Sequence, residues 1–263
     1  MTAPEDQGTG ILIGASSFVD ASEALRLIGR LMTDLRPRLG GILVEDAETT
    51  AVCALPNQRV VTASGTLALA PTLSQMRTLM EADARAFRQS LARIAEGVGA
   101  PWTFEREMGD LIQQGLRTAL SWDILVLAHR SINAVSGKVV FFTAPSSPPS
   151  RSDDLSQALA GTLSAERMVF TIDPSLDDEP DRETGNTRRF QNLGQALKGL
   201  GRVNAQAVVI DLSSGPIEHA QDLRRLIDAA RCPVFVLGMS GANRVLAHST
   251  QIPPSPQSEP GQQ

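Results

Sequence analysis

The stretch that decides the fold is Gly10-Ile-Leu-Ile-Gly-Ala-Ser-Ser17, continuing through Phe18-Val-Asp-Ala-Ser-Glu-Ala-Leu-Arg-Leu27 to Leu39-Gly-Gly-Ile-Leu-Val-Glu-Asp46. Its first apolar run, Ile11 to Ile13 with Gly14, is short and bounded by a polar turn, as a buried strand should be. Ser16, Ser17, Asp20 and Ser22 make that turn and offer several helix N-caps. Ala21, Leu25, Ile28, Met32 and Leu35 then recur at helical spacing until Pro37 ends the segment. Gly40 to Val44 is the next strand, closing on Glu45 and Asp46. A strand, a helix and a second strand in this order form a βαβ unit on a parallel sheet.

The alternation continues along the chain. Ala47 to Thr72 is a long mixed stretch, read as an excursion or lid inserted after the second strand. Ser74 is expected to cap the longest helix, with Met76, Met80, Phe87, Leu91 and Ile94 facing inward and Gly97 and Gly99 stopping it. Trp102 to Met108 alternates with period two and reads as a half-exposed strand. Asp110 opens a short helix with Leu111, Ile112, Leu116, Ala119 and Leu120 on its apolar face, leading to a buried strand over 123–128. The pattern then restarts with a strand at Val139 to Phe142, a rigid turn over Ala144 to Ser150, a helix marked by Leu155, Leu159 and Leu163, and a strand over Arg167 to Ile172. An acidic loop from Pro174 to Thr187 precedes a helix bearing Phe190, Leu193, Leu197 and Leu200. The strand 206–212, a helix with Leu223, Leu226, Ile227 and Ala230, and the strand 232–237 complete the set.

The expected organisation is α/β, with two tandem copies of one unit, each carrying a parallel sheet. Residues 1–137 form the first, with the insertion at 47–72; 138–240 form a shorter second; 241–263 form a disordered tail, rich in Pro, Gln and Ser from Pro253 onward. Between Ala128 and Val139 there are about ten residues, too few for a helical crossover of about a dozen. Val139 to Phe142 either closes the first sheet or, as the turn from Pro145 to Ser150 and the helix after it favour, opens the second, in which case the first copy lacks an edge strand and its open edge needs covering by the other copy or by another chain.

Composition narrows the partners. The chain has 263 residues, 42% of them hydrophobic, but aromatics are only 4% and Tyr is absent, so the stacking platforms of single-strand nucleic-acid binders are scarce. A net charge of −5 argues against nucleic acid and against an anionic membrane surface. The first ten residues are acidic rather than basic and unlike a secretory signal, and no apolar run approaches the roughly 20 residues that span a bilayer. Cys53 and Cys232 lie far apart and suit free thiols in a reducing cytoplasm.

Several pieces resemble the universal stress protein family. Gly10 to Ser17 with Ala21-Ser-Glu-Ala-Leu-Arg-Leu27 looks like that family's opening strand, turn and first helix, and Leu39 to Asp46 like its second strand. Trp102 to Asp110 with the strand at 123–127 looks like its third and fourth strands, and Ala205 to Leu237, including Cys232-Pro-Val234, like its closing strand-helix-strand. The resemblance implies a Rossmann-like, adenine nucleotide alpha hydrolase-like fold and a role in stress tolerance or regulation. It also implies where a nucleotide would bind: an Asp just after the first strand, and a G-x2-G-x9-G-[ST] loop after the fourth, whose glycines let backbone N–H groups approach phosphate. This chain departs from both. Ser16 stands near the Asp position in the first copy and Ala144 in the second, and neither fourth strand is followed by the full glycine pattern. Gly238 and Gly241 have G-x2-G spacing but follow the last strand, where the loop is expected to miss the crevice.

Ser16, Ser17, His129 and Arg130 are the candidate binding residues, since strand ends in open α/β sheets hold ligands. Arg130 suits an anion, His129 can donate to it, and Ser16 and Ser17 open a helix N-terminus. Helix capping accounts for Ser16, Ser17 and Asp20 without a ligand, as it does for Ser213 and Ser214 ahead of Pro216. No metal-ligand spacing occurs among Cys and His, and there is no G-x-S-x-G elbow. The expected function is non-enzymatic, through association with itself or a protein partner, with nucleotide binding reduced or lost and no cofactor. Two alternatives stand: a regulatory module that binds ATP, AMP or another anion at an altered site, and a hydrolase or nucleotidyl transferase on the same scaffold.

Overall fold

The computed structural model describes residues 9–32, 37–46, 51, 59–61, 65–128, 137–145, 150–176 and 182–247. In chain order the elements are β1 (Gly10–Ala15), α1 (Phe18–Leu31), β2 (Arg38–Glu45), β3 (Arg59–Val61), β4 (Leu67–Leu69), α2 (Leu73–Val98), β5 (Trp102–Met108), α3 (Leu111–Ala119) and β6 (Ile124–Leu127). There follow β7 (Lys138–Thr143), α4 (Arg151–Leu163), β8 (Glu166–Ile172), β9 (Arg182–Thr184), β10 (Thr187–Phe190), α5 (Leu193–Leu200), β11 (Ala205–Asp211), α6 (Ala220–Ala230), β12 (Val234–Leu237) and α7 (Ala242–Ala247).

The two parallel sheets expected from the sequence are one. Ten strands run in the order β5-β2-β1-β6-β12-β11-β7-β8-β10-β9, and β3 and β4 form a separate antiparallel pair. Every pairing in the large sheet is parallel except β6 with β12 and the edge pair β9 with β10. Numbered by their own sequence, the strands of the first half lie 3-2-1-4. Those of the second, read from the far side, lie 3-2-1-4-5, with β9 added beyond. The edge that the short link after Ala128 leaves on β6 is closed by β12, through Phe235 opposite Val126 and Val236 opposite Leu125. That pairing satisfies a row of backbone groups that would otherwise template aggregation.

Strands in the middle of such a sheet are covered on both faces, which is why β1, β6 and β12 are buried throughout and apolar almost without break. On one face α3, α5, α6 and α7 cover a core that includes Leu116, Phe142, Phe170 and Leu223; on the other α1, α2 and α4 cover Ile13, Phe87, Phe141 and Phe235. Each core draws on both halves. Edge strand β5 alternates half-buried Trp102 and Phe104 with exposed polar residues, as its period-two pattern predicts.

Several boundaries differ from the sequence reading. The long helix is capped by Thr72, not Ser74, because Gln75 completes a capping box with it. Met76 and Met80 are only half-buried, since the first turns of α2 carry no described sheet beneath them, whereas Phe87 and Leu91 are fully buried. Phe190 belongs to a strand, β10, where its parallel pairing with Ile172 of β8 outweighs the helical spacing read through it. Residues 242–247 are helical rather than tail, because Ala242 and Val245 fall on one face and are buried against the core. The remainder of the tail from 248, Cys53, most of the 47–72 excursion, and the acidic positions 177–179 and 181 lie outside the described residues.

Candidate functional site

An open α/β sheet binds ligands outside the carboxyl ends of its strands, where the strand order reverses. This sheet has two such points, β1 beside β6 and β7 beside β11.

At the first, β1 ends at Ala15, Ser16 is exposed, and Ser17 is the N-cap of α1. Its Oγ accepts from the Asp20 backbone N–H at 3.1 Å and donates to Asp20 Oδ2 at 2.6 Å. The Phe18 N–H, which would face an incoming anion, donates instead to Asp83 Oδ2 of α2 at 3.2 Å. A helix N-terminus favours negative charge, and the chain supplies that charge itself from Asp20 and Asp83. His129 and Arg130 lie outside the described residues, so of the four residues singled out in the sequence Ser16 and Ser17 are located, and Ser17 acts as a cap.

At the second, Asp211 ends β11 and is 9% exposed. Its Oδ1 accepts from the Ser213 backbone N–H at 2.8 Å and from the Ser213 hydroxyl, and its Oδ2 from the Ser152 hydroxyl of α4 at 3.2 Å. Ser213 thus serves Asp211 rather than capping a helix, and α6 starts later, with His219 at its N-cap position. The loop after β12 does reach this crevice, contrary to the sequence expectation. Gly238 adopts a left-handed conformation, and a Cβ there would lie 2.1 Å from Asp211 Oδ1. Beside Asp211 opens a cavity of about 540 Å³, bordered by α4, by the end of β12 and, across the antiparallel junction, by the start of β6.

Both aspartates had a sequence signal that went unread. Asp83 interrupts the inward stripe of α2 between Met80 and Phe87, and Asp211 is the one charged residue in the apolar strand that Ser213, Ser214 and Gly215 follow.

The remaining polar groups have structural partners. Glu45 Oε1 accepts from Arg106 Nη2 at 2.6 Å, and Arg106 also reaches Glu81 Oε1 at 2.6 Å; these two carboxylates, Glu81 first, hold the Arg106 guanidinium above its ordinary value. Cys232 is fully buried at the entry to β12, and the loss of solvation pushes its thiol up to about 12. Among the described residues no three His, Cys, Asp or Glu side chains are grouped to hold a metal ion, and no helix is long and apolar enough to cross a membrane.

No protein-family model matches the chain, and neither does any curated protein. Solved structures do. Universal stress proteins are among them. One, from Archaeoglobus fulgidus DSM 4304, is 10% identical over 86% of this chain and 95% of its own, with a TM-score of 0.48. A putative universal stress protein from Pseudomonas aeruginosa UCBPP-PA14 is 10% identical over 93% and 98%, with a TM-score of 0.46. A functionally unknown protein from Pseudomonas aeruginosa PAO1 is 10% identical over 90% and 97%, with a TM-score of 0.45.

Proposed function

We propose that this chain is a cytoplasmic, universal-stress-like protein that acts in stress response or regulation by associating with itself or with a protein partner, without turnover and with adenine nucleotide binding lost or much reduced. The observation that carries the reading is that each switch point has a carboxylate of the chain's own where phosphate would need donors. The Phe18 N–H is engaged by Asp83 and the Ser213 N–H by Asp211. A phosphate oxygen brought within 4 Å of either carboxylate meets a repulsion of about 1 kcal/mol per unit charge in water and about 4 kcal/mol near a protein surface. A triphosphate multiplies that.

The recurrence of the 3-2-1-4 strand order supports reading residues 1–137 and 138–240 as tandem copies, the first without its fifth strand. Antiparallel pairing of β6 with β12 then joins the copies within one chain.

A thermal-shift titration with ATP and AMP tests the proposal. A ligand at 100 times its dissociation constant stabilises its protein by about 2.7 kcal/mol, which for a chain of this size raises the midpoint by roughly 5–10 °C. No such rise is expected at millimolar nucleotide. Turnover of ATP that disappears in Arg130→Ala would instead establish the enzyme alternative.

A further inference from the structure

The junction between the halves creates a groove that a phosphate does not suit and another chemistry does. Because Val236 pairs with Leu125 across the antiparallel seam, the end of β12 comes beside the start of β6. Trp122, Ile124, Leu155 and Leu237 give the resulting 540 Å³ cavity apolar walls, and the volume falls in the range of small-molecule sites. Its polar lining is strongly biased. Asp123, Asp154 and Asp211 supply three carboxylates against the single guanidinium of Arg151, which at 3.3 Å is already paired with Asp123. Asp211 is the deepest of them. It is nine-tenths buried, and its described partners, the Ser152 hydroxyl and the Ser213 hydroxyl and N–H, are all neutral. These neutral donors hold the carboxylate without neutralising it, so a cation in the cavity gains an attraction that the described partners do not use.

We infer that this groove binds a small organic cation, an ammonium or amidinium carried on a compact apolar body. The charged head seats toward Asp211 with Asp154 beside it, and the body lies against Trp122, Leu155 and Leu237. Because Thr9 and Trp122 to Ile124 come from one half and the other lining residues from the second, such a ligand bridges the halves. The inference deepens the reading of the Asp211 crevice given above, from a site closed to phosphate to one with its own ligand class.

The chain contains two tryptophans, so Trp102→Phe, on the distant edge strand, leaves Trp122 as the only reporter. Its fluorescence is titrated with cyclohexylmethylammonium and with the neutral isostere cyclohexylmethanol. A saturable change is expected for the ammonium, at a concentration at least about tenfold below that of the alcohol, a tenfold ratio being one step of 1.4 kcal/mol in affinity. Asp211→Asn should weaken the ammonium at least about tenfold and the exposed-site variant Asp154→Asn by a smaller factor, with neither changing the response to the alcohol. If Asp211→Asn does not fold, the isostere ratio and Asp154→Asn still decide. Equal response to ammonium and alcohol, no saturation with the ammonium, or an ammonium affinity unchanged in both variants overturns the inference. ATP saturation in the same protein counts against the proposed function alone, because the ammonium-to-alcohol ratio is read independently of it.

Discussion

Replacing Gly238 by Ala probes a tight contact in the Asp211 crevice. Gly238 has φ 69° and ψ 47°, a left-handed conformation that costs an L-residue roughly 1–2 kcal/mol. The added Cβ would also lie 2.1 Å from Asp211 Oδ1 and 2.7 Å from the Ser213 backbone nitrogen, so the carboxylate must move and give up its bond to that N–H. Losing a hydrogen bond to a charged group costs about 1.5–3 kcal/mol, which brings the total to roughly 2.5–5 kcal/mol. Gly99 is the control. It has φ 67° at the end of α2 and nothing within 4 Å of its Cβ position, so Gly99→Ala should cost only the conformational part, about 1–2 kcal/mol. Urea unfolding measures both, and the difference should appear in the midpoint with the slope unchanged. In an Asp211→Ala background the cost of Gly238→Ala should fall, since the carboxylate clash is gone, but stay above that of Gly99→Ala, since the Ser213 backbone nitrogen still lies 2.7 Å from the added Cβ. If the two glycine variants lie within about 0.5 kcal/mol of each other in the parent protein, the crevice is looser than this reasoning requires.

Asp83→Ala strips the Phe18 N–H of its acceptor and should cost about 1–2 kcal/mol, part of which inorganic phosphate should restore by occupying the vacated N-terminus of α1; a neutral substitution would show that the bond is not formed. In a Cys53→Ser protein the Cys232 thiol should resist dithionitrobenzoate at pH 8 until the chain unfolds. Its folded value is about 12 and its unfolded value near 9.0, so stability should fall between those pH values by up to about 1.4 kcal/mol per unit. That component should vanish in Cys232→Ala. Arg106→Ala breaks two exposed ion pairs that tie β5 to β2 and α2, and its cost should stay at or below about 1 kcal/mol and shrink in molar salt; a loss of several kcal/mol would contradict the weight given to those pairs.

Much of the fold was legible because its signals are local. Ile11 to Ile13, Ile124 to Leu127 and Val234 to Leu237 are short apolar runs covered on both faces, and Leu116, Leu223 and Leu226 recur at helical spacing on faces that are in fact buried. What was not legible depends on pairing between distant segments. No feature of Val126 or Phe235 alone says that they sit side by side antiparallel, so two expected sheets proved to be one. Phe190 fits a helical stripe as well as a strand, and its place in β10 is settled by Ile172 of β8. The site was harder still. Ser17 fits a ligand-binding residue as well as a cap, and the difference lies with Asp83, which takes the Phe18 N–H from 65 positions further along. Gly238 looked remote from the crevice because nothing local shows that the loop after β12 folds back onto Asp211.

Equilibrium dialysis of the intact protein against millimolar ATP tests most directly whether self-supplied carboxylates have displaced the nucleotide. ATP should stand at the same concentration on both sides of the membrane. Accumulation on the protein side approaching one equivalent per chain, lost on Ser17→Ala or Asp211→Asn, would contradict the account.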